Sequence, residues 1–301
     1  MNAPPAAPRL GRRAREEARW AYLFILAPFV GFTLFGLGPL LASLVLSLFE
    51  YDLLGEPHWA GAANFRGLWS DGDFWTALRN SLFYLLGIPI GMALSLALAL
   101  SLNRMRFAAF FRSLYFLPAV TSIVSVSLLW TWIYNPEFGW MNTVLAHFGV
   151  AGPAWLQDPK WVKPALILMG IWMNLGHSVL LYLAGLQSVP GSLLEAASLD
   201  GAGPGARFRH VVWPLLTPTT FFIAVTSVIG SLQMFGQIYL MTPGGGPDYS
   251  AATVMYYLWQ TAFERNRMGY ACAVAWVLGA MILTATLAQF AASRKWVHYS
   301  E

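Results

Sequence analysis

Six long apolar runs dominate this sequence. Residues 20–49 carry no charged side chain, and at ~1.5 Å per residue a helix of that length exceeds a hydrocarbon core of ~30 Å. Further runs fall at about 76–102, 112–134, 162–187, 215–240 and 270–292. In hydrocarbon, backbone N–H and C=O groups must bond within the segment, so each run is expected to be a spanning helix. Only 11% of the residues are charged, against ~25% in a soluble domain. The expected fold class is an all-α integral membrane protein with six transmembrane helices. The first run is too long for the apolar part of a cleavable signal and reads as an uncleaved span, bent at Pro28 and Pro39. Residues 1–19, rich in Pro and Ala and then in Arg, read as a disordered tail.

Charge sets the expected orientation. With the N-terminus inside, twelve of the 18 basic residues fall in inner segments: Arg9, Arg12, Arg13, Arg15, Arg19, Arg104, Arg106, Arg112, Arg207, Arg209, Arg294 and Lys295. The other six, Arg66, Arg79, Lys160, Lys163, Arg265 and Arg267, fall outside. A basic excess inside is the usual bias of helical membrane proteins and places both termini in the cytoplasm. The outer segments are also rich in aromatic residues such as Tyr51, Trp59, Trp69, Trp132, Tyr134, Trp140, Trp155 and Trp161. They read either as an interface belt or as a docking surface for an external partner.

The chemistry available is narrow. A phosphate-binding loop needs glycines and a lysine, and none of the three lysines, Lys160, Lys163 and Lys295, follows a glycine. No pair of histidines or cysteines has metal-ligand spacing, and the single cysteine, Cys272, lies in an apolar run. No catalytic residues and no cofactor are expected. His177 is the only readily titrating side chain within a span, which gives weak support to a proton-driven carrier.

One segment between two spans, residues 188–214, is too polar and Gly-rich to cross a bilayer. Pro190 suits a first helical turn. Leu193, Leu194, Ala196, Ala197 and Leu199 give that helix an apolar side, and Gly201 offers a left-handed stop. Pro204 and Gly205 restart the chain, and Ala206 to Val212 read as another short helical turn ending at Pro214. Such a knuckle is shaped to touch something beyond the membrane.

The residues Glu195-Ala196-Ala197-Ser198-Leu199-Asp200-Gly201-Ala202, followed by Phe208 and Val211-Val212-Trp213-Pro214, resemble the E-A-A-x-x-D-G-A loop of the membrane subunits of ATP-binding-cassette importers. The departure is Trp213, where the pattern has Leu. Thr242-Pro243-Gly244-Gly245-Gly246-Pro247, with Thr253 beyond, is similar to the T-x-G-G-P…T loop of one permease of the maltose and glycerol-3-phosphate type, with one extra residue. Phe116-Leu117-Pro118, Asn135 to Gly139 and Leu183 to Gln187 agree with the same group, so the resemblance runs from about residue 20 to 292. It implies a type I importer permease in the inner membrane, paired with a second permease and two ATP-binding subunits and served by an extracytoplasmic solute-binding protein. The resemblance assigns ATPase coupling to Glu195, Ala196, Ala197, Asp200 and Gly201. It divides the chain into residues 1–75, a permease core at 76–292 containing the coupling segment, and a tail at 293–301.

Two spans carry polar groups that a membrane helix does not need. At 100° per residue, Thr226, Gly230, Gln233 and Gln237 share a stripe ~60° wide, with Ser227 and Ser231 beside it. Gly170, Asn174, His177 and Ser178 share one side of the fourth span. Amides and hydroxyls can donate to and accept from sugar hydroxyls, so these residues read as a solute pathway. Ordinary interhelical packing through small and polar residues is the competing reading. The function expected is the permease subunit of an ATP-driven sugar importer. The alternatives are an importer of the same class for another solute, such as a phosphorylated polyol, and a self-sufficient secondary transporter. The charge asymmetry predicts that a cysteine at position 203 and a tag after residue 301 are reached by impermeant reagents only from the cytoplasmic side. Labelling of either in intact cells would reverse the orientation.

Overall fold

The computed structural model describes residues 11–103 and 108–298. Arg9, Arg104 and Arg106, counted above among inner basic residues, lie outside the described residues. Five unbroken spans are α1 (Arg12–Leu46), α3 (Gly72–Leu102), α7 (Val162–Gln187), α9 (Pro204–Leu232) and α12 (Met268–Ser293). The sixth is a pair, α4 (Ala108–Val120) and α5 (Ile123–Ile133), meeting at 113°. Short helices fill the connections: α2 (Ala63–Ser70), α6 (Trp140–His147), α8 (Gly191–Leu199), α10 (Gly236–Met241) and α11 (Val254–Trp259). A small hairpin, β1 (Phe49–Glu50) against β2 (His58–Trp59), follows α1, with Phe49 opposite Trp59.

Several boundaries differ from those expected, for physical reasons. Helix α1 begins at Arg12, so the basic stretch from Arg12 to Arg19 is helical rather than a disordered tail. Helix α9 runs through Pro214 instead of stopping there. A π-turn at Phe208–Val212 comes just before Pro214, as another at Thr33–Leu37 comes just before Pro39. An extra residue in the turn makes room for a ring that would otherwise press on the preceding carbonyls. Pro190 stands just before α8, as its N-cap in extended conformation, rather than inside its first turn. The third span breaks one turn after Pro118, where Ser122 leaves helical geometry and its Oγ accepts from Val124 N–H at 3.3 Å to start α5.

Helix α7 is the centre of the bundle, packed against α3, α4 and α9. Two apolar clusters sit at different heights along it. One gathers Tyr84, Val126, Trp130, Tyr134, Leu166, Met169, Ile238 and Tyr256. The other, nearer the α8 end, gathers Ala99, Leu102, Val179, Tyr182, Leu183, Leu186, Leu216 and Ile223. Tyr134 and Trp155 of the outer aromatic set are packed inward, with ring centroids 5.7 Å apart, and the Tyr134 hydroxyl donates to the Ala165 carbonyl at 2.7 Å. Trp59, Trp69, Trp132 and Trp140 are exposed. The aromatic set thus divides between core and surface. Helix α1 stands away from this body. Its apolar face is exposed along its length, and the Trp276 indole, which donates to Ser43 Oγ at 3.2 Å, is one of the few ties that hold its end to α12.

The tightest crossing lies between α7 and α4. A Cβ placed on Gly176 would stand 2.0 Å from the Tyr115 carbonyl oxygen, so the helices meet backbone to backbone. In lipid such contact replaces the hydrophobic drive that associates helices in water. Gly176→Ala is therefore expected to force α4 outward and to cost about 1–3 kcal/mol. The measurement is the thermal unfolding midpoint of the purified protein in detergent, and an unchanged midpoint would show that α4 yields freely.

Candidate functional site

Between the two clusters, residues 170–178 of α7 face a cavity of ≈ 520 Å³. Its walls come from α3, α7, α9, α10 and the link between the last two. Asn174, His177, Ser178, Thr226, Ser227, Ser231, Gln233 and Gln237 all line it. The Asn174 amide donates to the Gly170 carbonyl at 2.9 Å and the Thr226 hydroxyl to the Phe222 carbonyl at 2.9 Å, so both turn partly back onto their own helices. The side chains of His177, Ser227, Ser231, Gln233 and Gln237 make no hydrogen bond among the described residues. Their donors and acceptors are open to the cavity. Lys, Arg, Asp and Glu are absent from its lining.

The continuous stripe expected on the fifth span does not form. Helix α9 ends at Leu232, the chain leaves helical geometry at Gln233 and Phe235, and Gln237 belongs to α10. Placement of the two glutamines by a 100° step therefore fails, although both still reach the cavity. The break has a remote cause. Buried Thr253 donates its hydroxyl to the Met234 carbonyl at 2.6 Å and accepts from Tyr256 N–H at 3.2 Å. It thus satisfies a carbonyl freed by the break and caps α11 at once.

Thr253 closes a loop that begins at Thr242, where Gly244, Gly245 and Gly246 all take positive φ. Helix α3 holds that loop. Asn80 donates to the carbonyls of Tyr249 and Ala252, both at 3.0 Å, and the Tyr84 hydroxyl to that of Ala251 at 3.1 Å. Ser81 Oγ accepts from Val254 N–H at 3.0 Å. Sequence reasoning missed this role of α3, and missed Tyr84 and Ser95 as cavity lining. The available signal was the run of small residues Gly87, Gly91 and Ser95 on one face. Beyond the loop, Asp71 accepts from the hydroxyls of Tyr257 and Tyr270. Burial alone would raise its pKa, but those bonds and the backbone N–H groups of Phe74 and Asp73 outweigh it and hold the carboxyl below its ordinary value. Its contribution to this clasp is thus present at neutral pH and is lost only as pH falls through the lowered value.

The knuckle sits at the opposite end of α9. Helix α8 ends with Asp200 as its C-cap and Gly201 at φ +79°. Gly201 N–H donates to the Ser198 carbonyl at 3.1 Å and Ala202 N–H to that of Ala197 at 2.9 Å, the paired bonds of a glycine helix stop. The Arg207 guanidinium donates to Ser198 Oγ at 2.9 Å and ties the knuckle to the first turn of α9. Glu195 and Ala196 are exposed, Ala197 is half-buried and Leu199 is 90% exposed. Glu195 has no hydrogen bond or ion pair among the described residues. A carboxylate and a bare leucine on one rigid turn form a surface without an occupant in this chain.

Thr253→Val keeps the shape and removes both hydroxyl bonds. It is expected to cost about 1–3 kcal/mol through the orphaned Met234 carbonyl, while Thr253→Ser retains most of the stability. Detergent melting curves of the two variants check this, and equal midpoints would detach Thr253 from the break.

Comparison with known proteins places the chain. Residues 87–296 match the family described as Binding-protein-dependent transport system inner membrane component. The chain is 35% identical to the lactose transport system permease protein LacF of Rhizobium radiobacter, over 91% of this chain and 94% of that one. It is 31% identical to the sn-glycerol-3-phosphate transport system permease protein UgpA of Agrobacterium fabrum, over 92% and 96%. A chain from the crystal structure of a bacterial ABC transporter involved in the import of the acidic polysaccharide alginate shares the fold, with TM-score 0.82 over 93% of this chain and 96% of that one, at 24% identity. With its membrane-spanning bundle, cavity and exposed knuckle, this chain belongs to the inner membrane components of binding-protein-dependent transport systems, the permease subunits of ABC importers.

Proposed function

We propose that this permease forms half of the pathway for an uncharged sugar. The observation that carries the reading is the set of polar groups in the cavity lining: hydroxyls, amides and one imidazole among apolar side chains, with no Lys, Arg, Asp or Glu. A phosphorylated polyol would bring a dianion into a low-dielectric site that has no Lys or Arg to meet it, which disfavours that alternative. The similarity to a lactose permease points the same way. His177, Asn174, Ser178, Thr226, Ser227, Ser231, Gln233 and Gln237 supply the hydrogen-bonding wall. The open side of the cavity calls for a second permease.

ATP hydrolysis falls to two separate ATP-binding subunits, and the knuckle of Glu195, Ala196, Ala197, Asp200 and Gly201 is the surface they engage. Glu195 is the polar contact, and Asp200 and Gly201 shape the turn behind it. A solute-binding protein delivers the sugar at the opposite end. The charge asymmetry of the sequence supports an inner-membrane orientation with both termini in the cytoplasm.

One reconstitution tests both halves of this reading. In proteoliposomes holding the full complex, Glu195→Ala loses a charge-assisted bond of ~1.5–3 kcal/mol and lowers both transport and sugar-stimulated ATP hydrolysis. Gln233→Leu combined with Gln237→Leu lowers transport several-fold with assembly intact. Unaltered ATPase stimulation in the first variant removes the coupling role, and unaltered uptake in the second returns the glutamines to packing.

A further inference from the structure

At the end of the bundle away from the knuckle, Arg79 and Lys163 form a pair of cations without a counter-charge in this chain. Lys163, in the first turn of α7, donates from Nζ to Asn80 Oδ1 at 3.0 Å and lies 5.3 Å from the centroid of the Phe83 ring. Arg79, one turn before Phe83 on α3, donates to the Trp75 carbonyl and to Thr76 Oγ1, both at the long distance of 3.4 Å. Positions 79 and 83 share one face of a helix, so guanidinium and ammonium stand on the same side of α3. The charge that acts on Lys163 is that of Arg79, of the same sign. Neither cation meets a carboxylate among the described residues, where the ion pair is that of Arg265 with Asp73.

A cation at the end of a span is costly unless something answers it. A side chain that only sought water would snorkel away from the bundle, whereas Lys163 lies back over Phe83. Exposed Trp69 and Trp75, with centroids 5.8 Å apart, stand just outward of Arg79 and mark the level of the headgroups. Toward the membrane centre, Leu82, Leu86, Ile90 and Leu94 follow at steps of four residues, each about half exposed. Gly87, Gly91 and Ser95, which face the cavity, lie ~100° round the helix, so the apolar stripe looks away from the solute. Two cations at headgroup level above such a stripe match a phosphate above acyl chains. A zwitterionic headgroup would bring its own ammonium to the pair, and an anionic one does not.

We propose that Arg79 and Lys163 bind the phosphate of an anionic phospholipid in the leaflet away from the knuckle, with its acyl chains along the exposed stripe of α3. The site is one bond from the outer loop, because the Asn80 amide that accepts from Lys163 also donates to the carbonyls of Tyr249 and Ala252. The test uses the complete transporter in detergent micelles doped with phosphatidylglycerol and phosphatidylcholine of matched chains, in equal amounts. Native mass spectrometry counts the lipids of each kind retained by the complex as their mole fraction is raised.

The unaltered complex is expected to retain phosphatidylglycerol preferentially. Arg79→Gln should lower the affinity for it roughly fivefold, the loss of one interfacial cation, and Arg79→Lys should keep most of it. Arg79→Gln combined with Lys163→Gln should lower it about twenty-fivefold. Arg79 is exposed and only loosely bonded, so its single variant decides the matter if the double one fails to fold. Arg66→Gln, which removes an outer cation outside the pair, should leave retention unchanged. Unchanged affinity in Arg79→Gln, or an equal loss in Arg66→Gln, would overturn the site. Loss of the second permease from the double variant, with lipid retention unchanged, would give the pair to a carboxylate of that subunit and overturn it too. Displacement of the lipid by inorganic phosphate at equal concentration would leave a free-anion site in its place.

Discussion

A carbonyl inside a bilayer has no water to turn to, and an unpaired one costs several kcal/mol. This protein nevertheless interrupts its helices where the cavity forms. The Met234 carbonyl is answered by the hydroxyl of Thr253, 19 residues away. That hydroxyl is held in place because the loop containing it is bonded to Asn80, Ser81 and Tyr84. The cavity wall, the outer loop and α3 therefore stand or fall together. Removing the loop would expose the break, and healing the break would carry Gln233 and Gln237 onto one straight helix.

The same economy governs the packing. Lipid tails are as apolar as leucine, so apolar side chains gain little by leaving them, and association depends on close contact and hydrogen bonds. Gly176 lets α7 meet the α4 backbone directly, and small residues of α3 face α7 above it. The apolar clusters on either side fix the height of α7. Between them lies the cavity, where the hydroxyls, amides and imidazole of α7, α9 and the link to α10 are set among apolar side chains.

Much of this was legible in the sequence, and the illegible parts share a cause. Span α7 begins and ends where its apolar run does, at Val162 and Gln187, because length and hydropathy are local properties. The left-handed stop at Gly201 is local too. The polar residues of α7 and α9 stood out against apolar neighbours, and the structure places them around one cavity. The break at Gln233 was hidden because its stabilising partner lies in another segment. The passage of α9 through Pro214 was hidden because proline ordinarily ends a helix, and only a π-turn reveals the exception. The α3 wall was hidden because Gly and Ser on a spanning helix look like packing.

The bond from Arg207 to Ser198 has a mechanical consequence. It couples the knuckle to a helix of 29 residues, about 43 Å long, that ends at the rim of the cavity. The π-turn at Phe208–Val212 and the rings of Pro214 and Pro218 lie close to the knuckle, so any bend in this helix belongs at that end. At its far end the helix stops at Leu232, where the Thr253 hydroxyl holds the Met234 carbonyl of the break. A displacement of the knuckle beyond that bend would move the straight remainder of the helix, and with it Thr226, Ser227 and Ser231 of the cavity wall.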